Sequence, residues 1–148
     1  MVSKLRILIA YLSYSGNTEE VAAYIGDYLD REGFTIEWHR IGIDVLNDLA
    51  YYDLIFLGTF TWERGATPDE VKDFVLEVGY KPENMVVFGT GDTQFGGDDL
   101  FCKAADKLAH FYKSNYPALK IEQSPRGSQE KKIDQWLEGV LNNAKSNA

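Results

Sequence analysis

Cysteine is almost absent from this sequence, which has only Cys102 among its 148 residues and so can form no internal disulfide. A chain without disulfides suits a reducing compartment, and we expect it in the cytoplasm. No apolar run approaches the roughly 18 residues that a membrane span requires, so no contact with a membrane is expected. The short apolar run at 6–12 ends in polar residues, and we interpret it as a buried first strand rather than a signal peptide.

Positive charge is also scarce, because 15 lysines and arginines stand against 23 aspartates and glutamates. The net charge of −8 argues against nucleic acid as a partner, since its phosphates would be repelled, and favours partners with basic surfaces. His39 and His110 stand far apart in the sequence, and we interpret them as surface or satisfied side chains. Cys102 is interpreted as a buried small residue. The sequence therefore predicts neither a metal site nor a catalytic residue.

Strand-like and helix-like patterns alternate along the whole chain. Short apolar runs predict strands, and apolar residues at helical spacing predict the helices between them. Such alternation implies right-handed crossovers and a parallel sheet, so we predict one α/β domain over residues 1–148 with helices on both faces of the sheet. The predicted strands are 6–12, 34–38, 54–58, 85–88 and 118–122, and the predicted helices are 19–32, 67–78, 100–112 and a last helix from Ser128 before a frayed tail at 142–148.

The loop after the first predicted strand opens a helix. Backbone amides at a helix N-terminus lack partners, and the helix dipole adds partial positive charge there. Hydroxyls and an amide supply neutral donors, and a glycine permits a tight turn. The pattern indicates a phosphate cradle without lysine or arginine, although an ordinary polar turn with a threonine cap would have the same composition. The loop reads Ser13-Tyr14-Ser15-Gly16-Asn17-Thr18.

The order Ser-x-Ser-Gly-Asn-Thr after an apolar strand resembles the phosphate loop of flavodoxins, whose usual form is Ser/Thr-x-Thr-Gly-Asn-Thr. Ser15 in place of threonine keeps the hydroxyl. The resemblance covers nearly the whole chain and is to the short-chain type, because the insertion that splits the fifth strand of some flavodoxins has no counterpart at 118–124. It implies a flavodoxin-like three-layer sandwich with strand order 2-1-3-4-5, one non-covalent FMN, and electron transfer rather than enzymatic turnover.

Two further loops resemble the flavodoxin segments that hold the flavin ring. Trp62 would stack on one face of the ring and Phe95 on the other, where the family usually has tyrosine or tryptophan. With strand order 2-1-3-4-5, these loops meet the first loop at the switch point of the sheet. The predicted cofactor-binding residues here are Thr59, Phe60, Thr61, Trp62, Glu63, Arg64 and Gly65 after strand three, and Gly89, Thr90, Gly91, Asp92, Phe95, Gly96 and Gly97 after strand four.

One departure from the family pattern follows Trp62, where Glu63-Arg64 replaces the common Gly-Asp. In the family, the peptide after that glycine flips when the flavin takes up its first electron. Glycine makes the positive φ of one turn type inexpensive, and Glu63 raises that cost by roughly 1 kcal/mol. We therefore expect weaker stabilisation of the one-electron-reduced flavin than in glycine-bearing relatives.

The resemblance also implies partners for a low-potential carrier. A ferredoxin/flavodoxin NADP reductase would donate electrons, and a redox enzyme such as ribonucleotide reductase would accept them. Asp69, Glu70 and Asp73 are expected near the flavin edge, either as a solvated helix face with favourable first-turn charge or as a docking ring for a basic partner. We expect a monomer. An alternative stays open, because the segment 96–100 resembles the flavodoxin-like protein that activates the manganese cofactor of class Ib ribonucleotide reductase. A flavin-dependent reductase of small molecules is disfavoured, since Trp62 and Phe95 would cover both faces of the ring.

Overall fold

A computed structural model describes residues 5–14, 16–61, 67–91, 102–122, 125 and 127–146 of the chain. In this part of the chain, strands and α-helices alternate as the sequence predicts, with a short 3-10 helix at Leu49–Tyr51 before the third strand. The elements are β1 (Arg6–Tyr11), α1 (Asn17–Arg31), β2 (Thr35–Arg40), β3 (Leu54–Phe60), α2 (Asp69–Val78), β4 (Met85–Gly91), α3 (Lys103–Phe111), β5 (Leu119–Glu122) and α4 (Ser128–Ser146).

The five strands form one parallel sheet in the order β2-β1-β3-β4-β5. This confirms the predicted fold class and strand order. The chain moves outward from β1 to β2, then returns past β1 to build β3, β4 and β5 on the other side. The switch point of the sheet therefore lies between β1 and β3, at the carboxyl ends of both strands.

Both faces of the sheet are covered, which explains the nearly continuous apolar runs of its central strands. Alternate residues of β1, β3 and β4 point to opposite faces and enter two separate cores. The first core lies under α1 and α4 and includes Ile7, Ile9, Ile25, Phe56, Phe88 and Leu137. The second lies under α2 and α3 and includes Leu8, Ala10, Leu57, Phe74, Val87 and Leu108.

Several element boundaries differ from those predicted. β3 continues to Phe60, which pairs with Thr90, and β4 continues to Gly91, which pairs with Glu122 of β5. Thr59, Phe60, Gly89, Thr90 and Gly91, predicted in loops, therefore belong to strands.

The carboxyl-terminal boundary was also wrong, since α4 runs to Ser146 through the segment that we expected to fray. Val140 and Leu141 are buried in the first core just before this segment. No helix in the described ranges is long and apolar enough to cross a membrane.

His39 is buried, although it stands on the edge strand β2, and its side chain packs against α2. Its ring centroid lies 5.6 Å from that of Phe74. Burial lowers the pKa of the imidazole, while the carboxylates of Asp44 and Glu77 oppose that shift. His39 is thus a core histidine rather than a surface one, whereas His110 is exposed on α3.

The lowered pKa of His39 predicts a loss of stability on acidification. The unfolded chain binds this proton more readily than the folded chain, so the free energy of unfolding should fall as the pH drops through about 6.5, the ordinary histidine value. Urea unfolding at a series of pH values from about 7.5 to about 5.5, above the range where carboxylates titrate, measures this slope. A His39→Gln variant should show a smaller slope than the natural protein, and an equal slope would contradict the assignment.

Candidate cofactor site

Three chain segments meet at the carboxyl edge of the sheet beside the switch point. Tyr11 at the end of β1 is in register with Gly58, and Phe60 at the end of β3 is in register with Thr90. The backbone N–H of Leu12 donates to the Gly58 carbonyl at 3.1 Å, so the first loop stays bonded to β3 as it leaves the sheet. The sheet itself therefore brings the ends of β1, β3 and β4 to one place.

The first of these segments is shaped by Gly16, which precedes α1 with a φ of 95°. This left-handed conformation suits glycine, and a side chain there would strain the backbone. The Gly16 N–H donates to Ser13 Oγ at 3.1 Å, which closes a tight turn before the helix. A Cβ at Gly16 would meet no atom within 4 Å, so the space beside the start of α1 is open.

The donor groups at the start of α1 fit a phosphate held without a cation. The first amides of a helix lack intrahelical acceptors and lie at the positive end of the helix dipole. Ser13 accepts from Gly16 and retains its own O–H as a donor, and the Asn17 side chain adds an amide. The charged residues of the first turn are the exposed acids Glu19 and Glu20. An anion at the start of α1 would therefore be bound by neutral donors.

A hydroxyl pair joins this first segment to β4. Thr18 Oγ1 and Thr90 Oγ1 lie 2.8 Å apart, a normal distance for an O–H···O hydrogen bond. Both side chains are buried, with exposed fractions of 1% and 2%. Sequence reasoning placed both residues at the site but could not see the bond, because 72 residues separate them.

The threonines at the end of β3 make bonds within the protein. The Thr59 hydroxyl donates to the Phe60 carbonyl at 2.9 Å, and Thr59 is fully buried. Thr61 Oγ1 accepts from the Ala104 N–H at 3.1 Å, in the first turn of α3. Because Cys102, the residue before α3, offers no side-chain cap, Thr61 caps that helix from another segment. Neither bond was anticipated from the sequence.

Two aromatic rings connect the loop after β1 to the end of β3 at the carboxyl edge of the sheet. The centroids of Tyr14 and Phe60 lie 5.0 Å apart, with the ring planes inclined at 47°. Tyr14 is 56% exposed, so its ring lies largely in solvent. Both residues belong to the predicted site, and the contact shows that the two segments are direct neighbours.

Gly89 has a packing reason to be glycine. A Cβ there would lie 2.7 Å from the Cβ of Ala105 on α3 and 3.3 Å from the Thr59 carbonyl oxygen. Gly89 is a predicted cofactor-binding residue, but the close approach that its lack of a side chain permits is to α3. Gly91 ends β4 and is partly exposed at the carboxyl edge.

Nine of the predicted site residues lie outside the described residues. The stacking roles of Trp62 and Phe95 and the effect expected of Glu63 therefore stay predictions. The nine residues are Ser15, Trp62, Glu63, Arg64, Gly65, Asp92, Phe95, Gly96 and Gly97.

Cys102 is buried beside the site, and its thiol has low reactivity. Its Sγ lies 3.8 Å from the Ile121 carbonyl oxygen, to which the thiol donates. Burial raises the pKa of this thiol to about 12, so its reactive thiolate form is scarce at neutral pH. This matches the interpretation of Cys102 as a small buried residue. In the described ranges, no three or more histidine, cysteine or acidic side chains are grouped to hold a metal ion.

Known proteins resemble this chain both in sequence and in structure. Residues 9–115 match a family model described as flavodoxin. The chain is 33% identical over 137 residues to a probable flavodoxin 2 of Bacillus subtilis strain 168, covering 86% of this chain and 89% of the relative. It is 34% identical to a probable flavodoxin 1 of the same strain over 128 residues, covering 81% of this chain and 79% of the relative. The crystal structure of oxidised flavodoxin 2 from Bacillus cereus gives a TM-score of 0.80 at 31% identity, covering 93% of this chain and 99% of that one.

The bond from Ala104 to Thr61 predicts a role for Thr61 in the stability of the fold. Replacing Thr61 with valine keeps the branched shape but removes the acceptor, and losing a helix cap costs roughly 1 kcal/mol of unfolding free energy. Thr61→Ser keeps the hydroxyl and serves as the matched control. Urea unfolding without cofactor should show the loss in the valine variant alone. If valine is as stable as serine at this position, Thr61 does not cap α3.

Proposed function

The chain belongs to the flavodoxin family, and we propose that it is a low-potential electron carrier supplied by an NADPH-dependent flavodoxin reductase. Flavodoxins bind FMN and serve in electron transport. The observation that carries the proposal is the meeting of β1, β3 and β4 at the switch point, with a neutral-donor cradle at the start of α1.

The described residues include the phosphate-binding part of the proposed site and one strand end that would face the flavin ring. Ser13, Asn17, Thr18 and the first amides of α1 would bind the phosphate, and Gly16 leaves the space that this group needs. The end of β4 at Gly91 would face the ring, together with predicted ring-binding residues in the undescribed segments 62–66 and 92–101. When bound, the isoalloxazine of FMN supplies the electron chemistry, so the chain needs no catalytic side chain of its own.

The negative charge of the chain favours a low reduction potential for the bound flavin. The phosphate cradle contains neutral donors, and the net charge of the protein is −8. Added negative charge at the carboxyl edge is therefore poorly compensated, which makes reduction there less favourable. A net charge far from zero also favours a monomer that meets its partners through electrostatic steering. The proposed carrier works in the cytoplasm and transfers electrons without turning over a substrate of its own.

Acidic side chains at the start of α2 suit a basic partner. Asp69 and Asp73 are exposed and Glu70 is partly exposed, and α2 begins near the carboxyl edge of the sheet. The Glu70 side chain passes close to Gly42 in the loop after β2, since a Cβ there would lie 3.7 Å from Glu70 Cγ. A reductase that approaches the site would meet these carboxylates before it reached the cofactor.

A second candidate function rests on the glycine-containing segment 96–100. Its resemblance to the flavodoxin-like protein that activates the manganese cofactor of class Ib ribonucleotide reductase suggests that the small subunit of such an enzyme is the partner. Binding of the purified protein to that subunit, measured by calorimetry, supports this function if the dissociation constant is micromolar or lower. The ordinary carrier function predicts no such complex.

Cofactor uptake tests the proposed function directly. Purified protein should show the yellow absorption of bound flavin, and protein stripped of its cofactor should bind one FMN per chain. The loaded protein should then be reduced by NADPH only when a ferredoxin/flavodoxin NADP reductase is added, since the chain has no proposed site for the nicotinamide. A colourless protein that does not bind FMN would overturn the assignment.

If the reductase docks on the acids of α2, the rate of electron transfer from the reductase should depend on salt concentration. An Asp69→Asn/Asp73→Asn variant should accept electrons from the reductase several-fold more slowly at low ionic strength, because steering charge is lost. The difference should shrink towards physiological ionic strength, where the screening length is about 8 Å. Stopped-flow absorbance measures both rates.

The matched control removes two acids at the opposite edge of the sheet. Asp30 is exposed near the end of α1, and Glu83 is exposed just before β4 begins. Asp30→Asn/Glu83→Gln changes the net charge equally and should leave the rate close to that of the natural protein. Equal slowing by both variants would mean that net charge, rather than the acids of α2, attracts the reductase.

A further inference from the structure

Thr90 places a buried hydroxyl where the strand pattern favours an apolar residue. Val86 and Phe88 of β4 pack in the core under α1 and α4. Side chains alternate along a strand, so Thr90 points to the same face. Thr90 is 2% exposed, and burying a hydroxyl is costly unless it is hydrogen-bonded. Valine has nearly the same shape without that cost, so the hydroxyl needs a separate explanation.

The partner of Thr90 is a residue of the predicted phosphate cradle. Thr18 Oγ1 lies 2.8 Å from Thr90 Oγ1 and is itself 1% exposed. Thr18 is the second residue of α1, among the amides that lack intrahelical acceptors. The bond therefore connects the end of β4 to the place where a phosphate would be held.

Counting protons gives this bond a direction once a phosphate is bound. Each threonine hydroxyl has one proton to donate and two lone pairs to accept with. An ionised phosphate only accepts hydrogen bonds. If Thr18 donates its single proton to the phosphate, the proton in the Thr18–Thr90 bond must come from Thr90.

We propose that Thr90 is a positioning residue for the phosphate of the cofactor, because its hydroxyl donates to Thr18 and directs the Thr18 proton towards the phosphate. The inference rests on the proposed function, since it requires FMN to bind with its phosphate at the start of α1. Thr90 then contributes to the preference for FMN over riboflavin, which lacks the phosphate. A threonine that only fills the core would affect the two flavins equally.

The test compares the two flavins in protein stripped of its cofactor. Quenching of flavin fluorescence gives dissociation constants for FMN and for riboflavin in the natural protein, Thr90→Val and Thr90→Ser. In Thr90→Val, Thr18 loses its donor and keeps a buried acceptor when it bonds the phosphate, so the FMN dissociation constant should rise about tenfold. The riboflavin constant should change by less than about twofold, and Thr90→Ser should restore most of the FMN affinity, since it keeps the hydroxyl.

A double-mutant cycle tests whether Thr90 affects FMN binding through Thr18 or independently of it. In a Thr18→Ala background, where no hydroxyl remains to be directed, Thr90→Val should no longer change the ratio of the two dissociation constants. If Thr90→Val does not fold, as judged by circular dichroism, Thr90→Ala replaces it in the cycle.

The outcomes distinguish failure of the role inferred for Thr90 from failure of the proposed FMN-binding function. A natural protein that binds neither flavin overturns both. A natural protein that prefers FMN, with a Thr90→Val variant that weakens FMN and riboflavin by the same factor, overturns only the role of Thr90. Loss of FMN preference in Thr90→Val, with its return in Thr90→Ser, supports the inference.

Discussion

Burial of both faces of the parallel sheet is the constraint on which the rest of this structure depends. The central strands β1, β3 and β4 send alternate side chains into two cores, one under α1 and α4 and the other under α2 and α3. Right-handed crossovers that all ran in one direction would place every helix on the same face, so covering both faces requires the chain to reverse direction. It does so after β2, when it returns past β1 to β3. The switch point is a consequence of that packing, and it places three strand ends side by side.

The site is stabilised by the fold before any cofactor is considered. Thr18 bonds Thr90, Thr61 caps α3 at Ala104, and the ring of Tyr14 contacts that of Phe60. Each contact joins residues from different segments at the carboxyl edge. Binding groups that are already fixed lose little conformational freedom when a ligand arrives, which favours tight binding. The threonines of this edge thus hold the segments together as well as offering donors.

Much of the fold could be read from the sequence because its signals are local. Apolar runs marked β1, β3 and β4, and helical spacing marked α1 and α2. Strand ends were less accessible, because the ladder between Phe60 and Thr90 depends on pairing between distant residues. For the same reason the sequence identified Thr18, Thr61 and Thr90 as site residues but not the bonds they make. The sequence could not decide whether His39 is a surface or a satisfied side chain, since its burial depends on packing against Phe74 of α2.

The central claim is that the carboxyl edge of the sheet binds one phosphorylated flavin. Backbone amide shifts in a nitrogen-15 NMR titration with FMN test it most directly. The account predicts large shifts at Gly16, Thr18 and Gly91, with little change at residues such as Asn84 at the opposite edge. Shifts centred at that opposite edge, or spread evenly over the chain, would contradict it.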